Sequence, residues 1–213
     1  GWSIHGRISP VSVILRKGDV GFNNPEAEKM YERREESAWP LAGTKYTKFR
    51  LTLDQTLTTS ARSITSSVIS YDALGNVASP KAVQFVSEPF EEETEITGHV
   101  TAHLNVSMSP NSLATVVEKD IDIFLTLRYL SPSGQEVFYT GTAGDPVPLT
   151  KGWLRVSLRK VASDHPRNQP YQSYREYRST DVQAVKPHTP YEVDVEIWPT
   201  NVVAEKGGCI VLE

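Results

Sequence analysis

From Thr44 onward the chain alternates apolar and polar side chains, and turn residues separate one alternating run from the next. This is the pattern of antiparallel strands with one face in a core and the other in water. In "EITGHVTAHLNVSM" Ile96, Gly98, Val100, Ala102, Leu104, Val106 and Met108 share one face, and Thr97, His99, Thr101, His103, Asn105 and Ser107 share the other. "KDIDIFLTLRYL" turns Ile121, Ile123, Leu125, Leu127 and Tyr129 inward, and "SPSG" at 131–134 folds it back into "QEVFYT" as a hairpin. "GWLRVSLRK" sets Leu154, Val156 and Leu158 against Trp153, Arg155, Ser157 and Arg159. "YEVDVEIWPT" sets Tyr191, Val193, Val195 and Ile197 against Glu192, Asp194 and Glu196, and predicts a strand that stops at Trp198-Pro199.

Adding "TKYTKFRLTL", "SITSSVIS", "KAVQFVS" and the terminal "GCIVL" predicts eight or nine strands and no helix long enough for a parallel α/β layer. The expected fold is therefore all-β, a two-sheet sandwich over residues 44–213. Connections at 54–62, 109–119 and 164–190 exceed simple hairpins, which favours a jelly-roll or Greek-key path. Residues 1–43 read differently. "PVSVILR" is a short strand, Gly18 and Gly21 mark a turn, and Asn24-Pro25 offers an N-cap with proline at the first helical position. The expectation is a helix over "PEAEKMYERREESAW", ended by Pro40, whose thin apolar stripe (Ala27, Met30, Tyr31, Ala38) suits an arm or linker lying on a partner surface.

Composition adds limits. The chain has 213 residues, 38% hydrophobic and 23% charged, with no run near a membrane span, so no membrane partner is expected. A formal charge of −4 gives no reason to expect a nucleic-acid partner. Cys209 is the one cysteine, which rules out an intrachain disulfide and a cysteine metal cluster and leans towards a cytoplasmic protein. Both ends read as cut: the first residues are no natural start, and the last strand stops in mid-course at Leu212 and Glu213.

Candidate chemistry is sparse. There is no Gly-x-Ser-x-Gly elbow of the kind an α/β-type serine hydrolase needs. His99 and His103 have a helical chelate spacing, but on a strand they stand about 13 Å apart and share no metal. The acidic comb Glu192, Asp194 and Glu196 is expected to pair across strands with Arg155 and Arg159 rather than to hold calcium. No cofactor is expected. "HPRNQPYQSYREYR" interleaves Tyr171, Tyr174 and Tyr177 with Arg167, Arg175 and Arg178, as a sugar- or base-stacking surface would, yet its prolines suit an extended strap over a sandwich edge. Trp39, Trp153, Tyr171, Tyr174, Arg175 and Tyr177 are the expected interface or ligand-surface residues.

Several spaced motifs occur together and in order: Trp39-Pro40-Leu41; Tyr46 with Lys48 and Leu51; Ser87 with Pro89; Glu95-Ile96 with Gly98; Gly152-Trp153-Leu154-Arg155; and "VEIWPT" at 195–200. In this series the chain resembles the C-terminal non-catalytic domain of the X-Pro dipeptidyl-peptidase and cocaine-esterase family, over roughly residues 5–212. The loop at 109–119 lacks the acidic turn common in relatives. The resemblance implies a jelly-roll, galactose-binding-like sandwich attached to an α/β-hydrolase catalytic domain, its main partner, whose Ser, Asp and His would lie before Gly1, so no catalytic residue is carried over. It implies packing on that domain, a share in shaping the substrate cleft, and room for a homo-oligomer. The alternative is a free-standing carbohydrate-binding or protein-interaction module, in which Trp153, Tyr171 and Tyr174 would be the exposed aromatics.

Overall fold

In the computed structural model of the chain, the described residues are 9–60, 68–73, 75, 79, 81–110 and 119–213. Their strands are β1 (Val11–Leu15), β2 (Glu32–Glu36), β3 (Arg50–Leu51), β4 (Thr56–Thr58), β5 (Phe85–Ser87), β6 (Thr94–Val106), β7 (Asp122–Leu130), β8 (Tyr139–Thr140), β9 (Pro146–Val147), β10 (Thr150–Arg155), β11 (Tyr191–Ala204) and β12 (Cys209–Leu212). One helical turn, α1 (Pro25–Glu28), and short 3-10 turns at Val156–Leu158 and Ser179–Asp181 complete the described elements. The expected fold class, an all-β jelly-roll sandwich, is the one the chain adopts. The chain forms two compact units. Unit 1 comprises Gly1–Gly98, Leu127–Leu149 and Thr200–Glu213, and unit 2 comprises His99–Thr126 and Thr150–Pro199.

In unit 1 the helix expected after Asn24-Pro25 does not extend beyond α1. Asn24 caps it through a hydrogen bond from the Ala27 amide (3.4 Å), but the chain then turns into β2, which pairs antiparallel with β1 from Val11↔Glu36 to Leu15↔Glu32. A thin apolar stripe explains the correction, because helices are held mainly by tertiary packing of an apolar face and Met30 of this stripe is 84% exposed. As a strand, the charged segment gains five cross-strand partners. Arg34 also reaches Glu36 (2.7 Å) and grips Glu95 with two hydrogen bonds (2.7 and 2.8 Å).

The larger sheet of unit 1 runs β3-β4-β5-β12-β7, with β4 and β5 parallel and the β3–β4, β5–β12 and β12–β7 pairs antiparallel. The turn expected at 131–134 forms, with the Gly134 amide donating to Ser131 O (2.8 Å) and Leu130 bridging Glu136, but of the expected strand "QEVFYT" only β8 is a strand, and it pairs with β9. The terminal strand, expected to be cut short, lies between β5 and β7 and pairs with both. Tyr129, Val202 and Ala204 are fully buried here. The expected strand over "TKYTKFRLTL" shrinks to β3, leaving Tyr46 and Phe49 exposed, and the larger part of "SITSSVIS" lies outside the described residues.

In unit 2 the order is β7-β10-β11-β6. The core alternates as predicted, with Leu125, Leu154, Val156, Val193, Val195 and Ile197 buried. Gly152 pairs with Ile197 in the antiparallel β10–β11 ladder, and any side chain at Gly152 would collide with the Glu196 carbonyl, so glycine lets these strands approach. The strand predicted to stop at Trp198-Pro199 runs on as β11 to Ala204. Its burial phase changes there: 193, 195 and 197 are buried, 198 and 199 are both exposed, and 200 is buried. Two consecutive outward residues, as at a bulge, let the ladder accommodate a residue with no N–H.

Candidate interaction surface

The outward face of unit 2 carries His99, Thr101 and His103 from β6, Asp194, Glu196 and Trp198 from β11, Lys151, Trp153 and Arg155 from β10, and Asp122 and Phe124 from β7. The segment 162–175 roofs one half of it. This segment is a closed loop, because the Ala162 amide donates to Tyr174 O (2.9 Å), Gln169 and Gln172 form an antiparallel bridge, and His165 stacks on Tyr174 at 4.0 Å. The expected extended strap is therefore corrected to a folded-back loop, held by its own hydrogen bonds and this stack. It docks through polar groups: Thr101 Oγ1 donates to Tyr171 O (2.8 Å), Gln172 Nε2 to Glu196 (3.2 Å) and Ser173 Oγ to Asp194 (3.1 Å). The Tyr171 ring lies 5.4 Å from His99, and His103 contacts Asp194. Burial pushes the His99 imidazole below its ordinary range, against a smaller opposing pull from Glu196.

Arg175 pins this loop from inside. It is buried and donates to the backbone carbonyls of Arg159 (3.2 Å) and Asp194 (2.6 Å). Burial lowers its pKa. Among the other expected surface residues, Tyr171 and Tyr174 are half-buried and engaged in the loop, while Tyr177 is exposed beyond it with a left-handed φ of 54°. Trp39, in unit 1, is 38% exposed.

The other half of the face is bare. Trp153 and Trp198 meet with ring centroids 5.3 Å apart and planes at 45°, a tilted pair of the favourable kind. Three contacts fix the β7–β10 register. Val156 N donates to Ile121 O (2.9 Å), Ser157 N to the Asp120 carboxylate (2.9 Å), and Arg155 binds Asp122 twice (2.7 and 2.8 Å). As one number rises the other falls, so the pair is antiparallel and Phe124 lies across from Trp153. The carboxylate comb does not pair with Arg155 and Arg159 as expected. Arg155 turns to Asp122 on the opposite neighbour strand and holds its pKa low, and Arg159 lies 4.4 Å over the Tyr191 ring. Asp194 and Glu196 are occupied by His103 and the loop instead.

Phe124 and Trp198 were not among the expected surface residues, although the signal was present: each is a large aromatic in the polar phase of its strand. Among the described residues of unit 2, acid, imidazole and hydroxyl groups do come close, but not as a relay. Ser173 hydrogen-bonds Asp194 rather than His103, and Ser109 Oγ lies 3.5 Å from Nδ1 of a different histidine, His188. A nucleophile needs its base beside it and the base needs its own orienting acid; here these contacts are split between two places.

The chain resembles several solved structures. A CocE/NonD family hydrolase from Staphylococcus aureus superposes with a TM-score of 0.78 at 21% identity, over 96% of this chain and 33% of that one. An α-amino acid ester hydrolase gives 0.53 at 14% identity, over 85% of this chain and 31% of the other. An aminopeptidase from a marine sediment Thaumarchaeota archaeon gives 0.54 at 11%, over 85% and 30%. At these identities the likeness establishes the fold, and the chain spans about a third of the length of each of these proteins. No curated protein matches the sequence. The family model for the X-Pro dipeptidyl-peptidase C-terminal non-catalytic domain matches residues 6–213, and the chain belongs to that family.

Proposed function

We propose that this domain serves a serine hydrolase of the X-Pro dipeptidyl-peptidase or acyl-esterase type by packing on its α/β catalytic domain and helping to close the substrate cleft. The observation that carries the reading is the match of nearly the whole chain to a family described as non-catalytic. The split acid, imidazole and hydroxyl contacts of unit 2 agree with it. The arm at residues 1–43 contributes to the same packing, since Phe22, Met30 and Trp39 present apolar surface at 44, 84 and 38% exposure. The compartment is cytoplasmic in this reading, in keeping with the unpaired thiol of Cys209, which burial holds protonated.

The test compares the full-length hydrolase with and without this domain, and the isolated chain beside both, on nitrophenyl esters and prolyl anilides. Removal of the domain is expected to raise KM or lower stability, and the isolated chain to give no turnover. Turnover by the isolated chain that a serine-directed inhibitor abolishes would overturn the reading.

A further inference from the structure

Phe124, Trp153 and Trp198 are 74, 54 and 60% exposed, and they sit side by side on three neighbouring strands. Contiguous apolar surface of this kind, rimmed by charge, marks an interaction site, whereas single exposed apolar residues need no explanation. We propose that this aromatic strip is the surface on which the catalytic body of the parent hydrolase docks, meeting it with an apolar patch and a carboxylate placed opposite Lys151. The proposal rests on the accessory-domain reading above and goes beyond it by naming the surface and its chemistry.

Two observations favour a protein surface over a sugar. Sugar recognition needs aromatic faces flanked by polar groups with hydrogen-bonding capacity to spare. Here most flanking groups are already engaged, Arg155 and Asp122 with each other and Glu196 with Gln172, which leaves Lys151 as the flanking group with capacity to spare. The structural relatives, in turn, are about three times as long as this chain, so a protein of that build has a body large enough to cover the strip. Charge then narrows the partner. The β10–β11 register puts Lys151 across from Trp198, and this exposed ammonium has no carboxylate partner among the described residues. Arg155 and Asp122 neutralise one another, and Glu196 lies across from Trp153, so the unpaired positive charge is a local one, that of Lys151 at the Trp198 end of the strip. A rigid sheet also holds both indoles in place before binding, which lowers the ordering cost that association normally carries.

Hydroxyl-radical footprinting of the full-length protein, read by mass spectrometry against the same protein unfolded in urea, tests the proposal. Docking predicts oxidation of Phe124, Trp153 and Trp198 slowed about tenfold, as for side chains in the dry centre of an interface. The double variant Trp153→Ala/Trp198→Ala should inactivate on heating about tenfold faster than wild type, with Val182→Ala, an exposed site elsewhere on unit 2, unchanged. Strip side chains that oxidise almost as fast as in urea, in a protein whose activity or stability still depends on having the domain, would overturn the proposal and leave the accessory reading intact. Deletion of the domain with no effect on either would overturn both.

Discussion

On β6 and the adjoining part of β11, the outward side chains His99, Thr101, Asp194 and Glu196 are covered by the loop at 162–175; on β10 and β7, Trp153 and Phe124 of the same face stand open. Side-chain chemistry accounts for the difference. A loop brings its own backbone N–H and C=O groups, and any surface it covers must satisfy them. The polar half does so with Thr101 and its carboxylates, whereas the aromatic half, centred on Phe124 and the ring faces of Trp153 and Trp198, offers few acceptors and would leave a covering loop's N–H groups unsatisfied. Aromatic surface is better covered by other apolar surface. The two halves therefore select different covers, one supplied by the chain itself and one from outside it.

The junction between the halves is the most sensitive place to disturb. Gly152→Ala would drive a methyl group into the Glu196 carbonyl and force β10 from β11, which carries both Trp153's neighbour Trp198 and the loop's acceptors. The expected loss is about 3 kcal/mol, at the upper end for overpacking, measured by urea unfolding of the domain. An unchanged midpoint would mean that the halves are not joined through this close approach.

Arg175→Leu attacks the roofed half alone. It leaves the buried carbonyls of Arg159 and Asp194 without their charged donor, at a cost of about 2 kcal/mol. Faster proteolysis within 162–175, with Trp153 and Trp198 fluorescence unchanged, would show that the loop is released while the aromatic half stays in place. Loss of both signals together would join the halves into one cooperative element.

How much of this contrast could be read from the sequence depends on the range of the interactions. The alternation identified the faces of β6, β7, β10 and β11 correctly, because the two-residue period is a local property of the chain. The same period places Phe124 and Trp198 outward, so the bare half could have been found by asking which large aromatics fall in the polar phase. The roofed half could not. That Arg175 is buried against two carbonyls, and that Arg155 chooses Asp122 over the β11 acids, depends on which strands are neighbours and in what register. The helix read into 25–39 failed for a related reason: Glu32–Glu36 finds its partners in β1, about twenty residues earlier, and local propensity does not see them.

The roofed half should also respond to pH. Burial holds the His99 pKa below its ordinary 6.5, so the unfolded chain binds the proton more readily than the folded one. Stability from this residue is complete at neutral pH and declines as pH falls below about 6.5, with Glu196 and the His103–Asp194 pair as the ionisable groups around it. Thermal midpoints measured from about pH 7 to 5 should fall, and less steeply in His99→Gln, which cannot take up the proton. Equal slopes in the two proteins would place the acid sensitivity elsewhere.

The smallest effect belongs to the rim of the bare half. Arg155 lowers the Asp122 pKa through two hydrogen bonds, so this pair stabilises the fold above the ordinary carboxylate value of 3.8 and its contribution is lost as pH falls through the lower folded value. Both side chains are about half exposed, and solvent screening keeps the contribution small. Asp122→Asn should therefore shift the unfolding midpoint only slightly at neutral pH, and less still in high salt. Its sharper consequence is for docking, because it leaves Arg155 with only the more distant Asp120 carboxylate (4.0 Å) and adds positive charge beside Phe124 and Trp153. If a partner carboxylate faces Lys151, the variant should hold the catalytic body at least as firmly as wild type at low ionic strength, while Lys151→Glu loosens it. A variant pair that behaves identically would remove charge from the description of the strip and leave the aromatic side chains as its whole basis.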